Sequence, residues 1–569
     1  MKNLCRKFHI NEHVDSPHSD EPFNRSKALN FSILLLPFFT LVTPFLVFLE
    51  NYSYGFFHAE IIIGILGILL VSLLCSAGMK YGGFIGENIL GFILVTFFLS
   101  IQFGASGETS FTFMLLGVAL LLLIFKDNFP LIAASIFATF FIVTLSQAFV
   151  PKGVPNFEFD KHHIAAGSVP VPRLIHIVLD EHIGLEGMPT DLREGVVAKK
   201  QIREFYEKYG FTTFGGAYSH YFHTVNSLPN LLNFSSASKA RMYIGEGDSP
   251  NRLLQNTYFE RLSQAGYRLN VWWGHHVDYC SHSRVPIENC IQVPAEGLKT
   301  SHRLPLNTLE RLQLVFSGYL NLSKIYQRGR DYYQSFRNGI IPYGVSLPSA
   351  TWDRHAVTAL PYLFTLDDLW ENILDLPEGN AVFAHVLIPH YPYVANADCT
   401  IKGSINEWKY SSLLFTPHYP FREGVHNTED SRKTHYQEYF KQVQCIYTKL
   451  DELFEKMEHA GIFENAVIAI HGDHGSRIVK REPTIENELE LSREDIVDAY
   501  STLFAVKFPK QIGYYDTQPF PIEFLLQEKV VNTLLGENGN LAPPDPFVFL
   551  RSEDQKILDL KPIPYPMTH

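Results

Sequence analysis

The chain has 569 residues, room for several domains, and carries 47 Lys and Arg against 59 Asp and Glu, a mildly acidic balance that gives no electrostatic reason to bind nucleic acid. Its mean hydropathy lies near zero, but that average joins two unlike parts. The first 150 residues are mostly apolar, and the rest has the balance of a water-facing protein.

Residues 1–28 form a polar, basic tail with Lys2, Arg6, Lys7, Arg25 and Lys27, too polar for the core of a signal peptide. Five apolar runs follow, near 29–50, 57–78, 85–104, 111–125 and 129–150, each approaching the roughly 20 residues that cross a bilayer as a helix. They predict a five-helix transmembrane bundle over 29–150, its fourth helix short enough to be tilted or partly interfacial. The basic tail, Lys80 and Lys126 fall on one side of such a bundle, whereas the first and third loops carry Glu50 and Glu108 and no Lys or Arg. Cytoplasmic loops collect positive charge, so five crossings put everything after residue 150 on the outer side. Glu60 and Glu87 fall near span edges, and without an ionisable pair at mid-membrane the bundle does not read as a transport path. Residues 151–170, with Pro151, Gly153, Pro155, Gly167 and Pro170, read as a linker.

Of the six cysteines, Cys5 and Cys75 belong to the apolar part. Cys280, Cys290, Cys399 and Cys445 belong to the outer part, where an oxidising compartment favours disulfides. Cys280–Cys290 with Cys399–Cys445 is the pairing expected among the three that four cysteines allow.

Residues 171–530 read as one domain, and 531–569 as a Pro-rich tail wrapping the surface. Leu174–Leu179 is an apolar, β-branched run that fits a buried parallel strand. Asp180-Glu181 follow at its carboxyl end, where open α/β sheets place their ligands. A helix is predicted over 192–209 and a strand over 211–214. Next comes Tyr221-Phe-His-Thr-Val-Asn-Ser-Leu-Pro-Asn-Leu-Leu232, a loop closing onto a helix start with Ser227 as N-cap and the Thr224 hydroxyl just ahead of it. Helix starts attract anions, and His220 and His223 flank Thr224 as substrate contacts or as pocket rim.

Further helices are predicted at 253–266, 307–336, 365–374 and 434–459, and strands at 268–273, 381–388, 465–470 and 503–506. His275 and His276 end one of these strands, Pro389-His390 another, and His471-Gly-Asp-His-Gly475 a third. Glycines around Asp473 and His474 let the backbone turn sharply, so that both side chains face one ion. Arg477 is a candidate for holding an anion, while Lys480 and Arg481 read as a solvated charge run. Strands alternating with helices predict a mixed, mostly parallel sheet between helices. Carboxylates and an imidazole converging on a hydroxyl from several strand ends make a divalent-metal site.

Over roughly residues 172–510 this domain resembles the sulfatase-like branch of the alkaline phosphatase superfamily. With its membrane part, the chain resembles the bacterial phosphoethanolamine transferases and lipoteichoic acid synthases. Thr224-Val-Asn-Ser-Leu-Pro229 is similar to the T-x-x-S-x-P of those transferases, whose threonine is the nucleophile. Asp180 stands where the family has its first acidic metal ligand, Pro389-His390 resembles its substrate-contacting histidine, and Gly472-Asp-His-Gly475 resembles its metal-binding D-H-G. The chain also departs from the family. Ser227-Leu-Pro-Asn-Leu231 lacks the arginine of the C/S-x-P-x-R that is oxidised to formylglycine in true sulfatases, and no cysteine brackets the loop. The transferases carry a Glu after a Gly where this chain has Leu179-Asp180-Glu181, so the main ligand is either Asp180, which we favour, or Glu181.

The resemblance implies an alkaline-phosphatase-like α/β domain holding one or two divalent ions (Mn, Zn or Ca) on Asp180, Glu181, Asp473 and His474. It implies Thr224 as catalytic nucleophile, with His390, His223 and Arg477 as substrate-binding residues. The substrate would be a phospho- or sulfo-ester of a membrane lipid or envelope glycan, cleaved by water or transferred to a hydroxyl. The place would be the bacterial inner membrane, with the catalytic domain periplasmic. Two competing readings are a formylglycine route through Ser227 and an inactive membrane receptor or scaffold of the same fold.

Overall fold

The computed structural model describes residues 25–51, 54–103, 108–148, 157–160, 171–245, 251–274, 276–293, 307–326, 328–329, 359–402, 429–537, 539, 541–552 and 559–566. They fall into two compact units. Among the described residues, the N-terminal unit holds five apolar helices, α1 Arg25–Asn51, α2 Ala59–Tyr81, α3 Gly83–Gln102, α4 Glu108–Phe125 and α5 Phe129–Ala148. Three stretches, Asn30–Asn51, Ala59–Tyr81 and Phe129–Ser146, are long and apolar enough to cross a membrane, and Gly86–Gln102 and Thr109–Phe125 are shorter. Leu36, Phe98 and Phe137 form part of this unit's core. On α2, Leu66, Leu70, Leu73 and Leu74 stay exposed, an apolar face that water penalises.

A later segment, beginning at Tyr319, belongs to this same unit. The Tyr319 ring packs among Phe45, Phe48 and Phe97, and its hydroxyl donates to the Leu41 carbonyl at 2.8 Å. The long helix expected over 307–336 closes at Asn321.

From residue 174 onward the elements run β1 Leu174–Leu179, α6 Arg193–Lys208, β2 Thr212–Phe214, α7 Thr224–Leu231, β3 Asn251–Arg252, α8 Thr257–Gln264, β4 Arg268–Trp273, β5 Val277–Asp278 and β6 Ile287–Gln292. Then come α9 Thr308–Asn321, α10 Ala359–Asp375, β7 Asn380–Val386, α11 Glu429–His459, β8 Val467–Gly472, α12 Arg493–Tyr500, β9 Phe504–Lys507, β10 Tyr515–Asp516, β11 Phe547–Leu550 and β12 Lys561–Pro564. α8 starts later than the periodicity suggested because the Asn256 side chain caps it, accepting from Phe259 N at 2.9 Å.

Among the described residues, eight strands form one sheet in the order β10-β2-β9-β8-β1-β7-β4-β6. β9 runs antiparallel to β8 and β2, and the other pairs are parallel. Every residue of β1 is buried, because helices cover both faces of the sheet. Period two divides the strand. Ile175, Ile177 and Leu179 face α6, α10 and α11, while Leu174 and Val178 face α7, α8 and the helical stretch 522–535.

Two disulfides are present among the described residues, Cys280–Cys290 and Cys399–Cys445. Residues near the C-terminus do more than wrap the surface. β11 and β12 pair as an antiparallel hairpin, and aromatic residues from this region lie against 218–221. His220 stacks on Phe547 at 4.2 Å, Tyr221 on Phe549 at 5.4 Å, and Tyr218 on Tyr565 at 4.4 Å.

Candidate active site

Register brings the site together. Leu179 of β1 lies opposite Val386 of β7 and Gly472 of β8. The three strands are parallel, so their carboxyl ends finish side by side. Asp180-Glu181, the Leu387–His390 loop and Asp473-His474 therefore emerge at one edge. Gly472 and Gly475 bracket the Asp-His pair for a reason other than a sharp turn, since neither has a positive φ. A Cβ on Gly472 would lie 2.4 Å from Thr502 Oγ1, and one on Gly475 would lie 2.3 Å from the Asp498 carbonyl. Both positions need close backbone approach.

α7 begins three residues earlier than Ser227. His223 is its N-cap, and Asn226 and Ser227 N–H groups bond back to the His223 carbonyl at 3.0 and 2.9 Å. Thr224 is thus the first helical residue, and its Oγ1 lies 3.2 Å from His474 Nε2. Ser227 sits one turn deeper and is fully buried, donating to the Asp473 carbonyl at 2.6 Å. That bond ties α7 to the β8 end.

Asp473 Oδ1 accepts the N–H of both Glu181 and His474 at 3.0 Å. His474 Nδ1 lies 3.0 Å from the Gly475 carbonyl. A carbonyl only accepts, so Nδ1 carries the proton and Nε2 presents a lone pair. That lone pair faces Asp473 Oδ2 at 3.2 Å. Asp180 Oδ1 and Asp473 Oδ2 are buried and take no hydrogen bond. One ligand atom from each of Asp180, Asp473 and His474 lies within 4.8 Å of the others. Burial, then the Asp473 and Glu181 carboxylates, push the Asp180 carboxyl well above its ordinary range. Acceptors that crowd one another in this way are relieved by a cation. Two carboxylates with one imidazole suit a divalent metal ion, so the residues present fit the ion the resemblance implies.

Asp180, Glu181 and His390 form a second such group, but there a cation has a competitor. Arg477 Nη1 pairs with Glu181 Oε1 at 3.2 Å, and His390 Nε2 lies 3.5 Å from the same oxygen. Burial raises the Glu181 carboxyl to about 7 against the pull of Arg477. The Arg477 guanidinium also lies over the Phe222 ring, 5.1 Å from its centroid. His223 is held well below its ordinary value by burial and then by Arg477, so it stands neutral beside Thr224.

Of the remaining sequence candidates, His220 binds the Phe547 carbonyl at 2.8 Å and is a structural residue. His276 lies with its ring 5.9 Å from that of His390, while His275 falls outside the described residues. Lys480 and Arg481 pair with Glu429 and Glu490, away from the carboxylates of the site.

Sequence reasoning missed His385. On β7 its Nε2 lies 3.1 Å from Asp180 Oδ2, and burial lowers its pKa to about 4. A single polar residue inside the apolar run Ala381–Val386 was the available signal. It also missed a buried chain beneath the site. His471 Nδ1 donates to the Gly472 carbonyl at 2.7 Å, so His471 Nε2 must accept from His176 Nε2 at 2.7 Å. His176 Nδ1 then accepts from the Tyr258 hydroxyl at 2.8 Å. Both imidazoles are neutral through burial, and every ring nitrogen is satisfied.

The sequence matches no protein-family profile and no curated protein. Solved structures give distant likenesses. One is the C-terminal periplasmic domain of EcEptC from Escherichia coli, 12% identical with a TM-score of 0.36, covering 73% of this chain and 97% of that one. Another is the phosphonate monoester hydrolase SpPMH from Silicibacter pomeroyi, 14% identical with a TM-score of 0.35, covering 68% of this chain and 76% of that one. A third is BT1596, a 2-O GAG sulfatase, 13% identical with a TM-score of 0.39, covering 67% of this chain and 78% of that one. At identities and TM-scores this low, a functional reading has to come from the chain's own residues.

Proposed function

We propose that this chain is a membrane-anchored, metal-dependent, sulfatase-like enzyme that cleaves or transfers a phosphate or sulfate ester through Thr224. The observation that carries the reading is the Thr224 hydroxyl, at the start of a helix and 3.2 Å from the lone pair of His474 Nε2. Asp180, Asp473 and His474 would hold the ion, with Glu181 beside them. Bound there, a divalent cation supplies Lewis-acid polarisation of the ester and eases ionisation of a neighbouring hydroxyl.

α7 holds the Thr224 oxygen 3.2 Å from His474 Nε2, at the edge where Asp180 and Asp473 also present ligand atoms. As the Thr224 oxygen bonds to phosphorus or sulfur its proton leaves through this acidic edge, and the ester oxygen whose bond to that centre breaks takes up a proton in exchange and departs as the alcohol. Arg477 offers N–H groups to the nonbridging oxygens, in competition with Glu181, and His390, whose Nδ1 donates to the Tyr391 carbonyl, adds an Nε2–H when it is protonated. Water or a second hydroxyl then lifts the group from Thr224. The buried Ser227, bonded to the Asp473 carbonyl, favours Thr224 over a formylglycine route.

The apolar helices support a multi-pass anchor, and the loop charges support a periplasmic active site on the inner membrane. A membrane lipid or envelope glycan is then the accessible ester. The test is intact-mass analysis after incubation with lipid extract. It should reveal an adduct on Thr224 that the Thr224→Ala variant lacks. An unmodified Thr224 together with unchanged turnover in that variant overturns the proposal.

A further inference from the structure

We infer that one polar stripe of α11, Arg432, Tyr436, Tyr439 and Gln442, is the positioning element that holds all three loops of the site in register. This rests on the site proposed above and goes beyond it, because none of the four is a ligand or a nucleophile. Their spacing of four, three and three residues puts them on one helical face, and all four are buried.

Between them the four hold three loops, Arg432 acting through Asp498 of α12. The Tyr439 hydroxyl donates to the Glu181 carbonyl and accepts the Ile183 N–H, both at 2.9 Å. It therefore bridges the turn that follows β1. Gln442 Nε2 donates to the Pro389 and His390 carbonyls at 3.0 and 2.8 Å. Its Oε1 accepts the Val394 N–H at 2.8 Å, so one amide clamps both ends of the His390 loop. The Tyr436 hydroxyl meets Ser476 Oγ at 2.9 Å. Arg432 grips Asp498 with Nε to Oδ2 at 3.0 Å and Nη2 to Oδ1 at 3.3 Å, and the Asp498 carbonyl accepts the Arg477 N–H at 3.0 Å. Two of the residues so held, Glu181 at φ 64° and Arg477 at φ 57°, adopt the left-handed backbone that side chains disfavour. Such conformations persist only where surrounding bonds over-determine them, and the stripe supplies those bonds. The Cys399–Cys445 disulfide ties the chain beyond the His390 loop to the same helix.

The test uses the full chain in detergent, freed of metal and titrated with Zn²⁺ against a chelating dye. Tyr439→Phe keeps the ring and should weaken Zn²⁺ binding on the order of 10–100-fold, as loss of an outer partner of a metal site does. Gln442→Leu should raise KM for bis-p-nitrophenyl phosphate more than it lowers kcat, because the His390 loop binds the ester. Tyr209→Phe removes another hydroxyl, bonded to Asp451 and Lys208 and to no site loop, and should change neither quantity. Unaltered Zn²⁺ affinity and KM in the first two variants overturn the inference, as do equal losses in Tyr209→Phe. Asp473→Ala separates the two proposals. If it too binds Zn²⁺ like the native chain, the site itself is wrongly assigned. If it alone loses Zn²⁺, the site stands and the stripe falls.

Discussion

Glu181, which is buried, and Arg477, which is partly exposed, form an ion pair at 3.2 Å, and both sit at positive φ, 64° and 57°. Neither residue type favours that backbone, which costs an L side chain roughly 1–2 kcal/mol. The pair therefore has its charges matched and its backbone strained, the combination expected where the direction of a side chain matters more than stability.

Arg477 offers a clean test of that strain. Arg477→Gly and Arg477→Ala both remove the guanidinium, but only glycine accepts φ 57° freely. The glycine variant should be the more stable by about 1 kcal/mol, the reverse of their order in a helix. Thermal unfolding of the two variants side by side measures it, and equal melting points would count against a strained Arg477.

Turnover should depend on the oxygen of Thr224. Thr224→Ala should lower kcat by about 10³-fold or more, whereas Thr224→Ser, which keeps the oxygen, should stay within about tenfold. Metal content should be unchanged in both, because the proposed ligand atoms come from Asp180, Asp473 and His474. A Thr224→Ala variant as active as the native chain would remove the nucleophile assignment.

Ion removal should cost stability as well as activity. The buried oxygens Asp180 Oδ1 and Asp473 Oδ2 have no hydrogen-bond partner, so a cation bound between them would offset their repulsion. At a free ion concentration of 100 Kd the folded chain should gain about 2.7 kcal/mol, read as a rise in Tm. Asp473→Asn should lose most of that gain.

Glu523 predicts a pH dependence remote from the metal ligands in sequence. It is 4% exposed, neither carboxylate oxygen has a hydrogen-bond partner, and burial pushes its carboxyl up to about 8 from the ordinary 4.5. A carboxyl raised on folding binds its proton more tightly in the native state. Its contribution is therefore fully present below the unfolded value and is lost as pH rises through the folded one. Glu523→Gln cannot ionise. Its stability relative to the native chain should climb between pH 4.5 and pH 8, by up to about 4 kcal/mol. Denaturant melts across that range would show two parallel curves if Glu523 did not titrate.

The C-terminal hairpin should matter to turnover. Phe549 is buried, stacks on Tyr221, and sends its N–H to the His220 carbonyl at 2.9 Å. Phe549→Ala should cost about 3 kcal/mol and should lower kcat at temperatures where the chain remains folded. A loss confined to stability would mean that the hairpin does not steady the Thr224 loop.

Much of this could be read from local pattern. An apolar run ending in Asp180, another ending in His390 and a third ending in Asp473-His474 declared strands with polar carboxyl ends, because strand burial writes itself as a short-range period. The acids and glycines then marked the chemistry. Local pattern was less use at α7, where Ser227 reads as a cap but is buried one turn inside the helix, and at α8, whose Asn256 cap was passed over. It was no use for Tyr439, Gln442 and Asp498, whose roles lie in bonds to loops far along the chain.

The amino-acid order alone determined which side chains could bind an ion and which hydroxyl stood beside a helix start. Only the tertiary structure decided that they meet. Thr224 and His474 are 250 positions apart, and what joins them is the seating of α7 on the end of β8 through Ser227 and the Asp473 carbonyl, while the packing of β1 between β7 and β8 brings Asp180 to the same edge. Residue type and periodicity are properties of a few neighbours, whereas strand adjacency follows from how the whole set of apolar faces is buried at once.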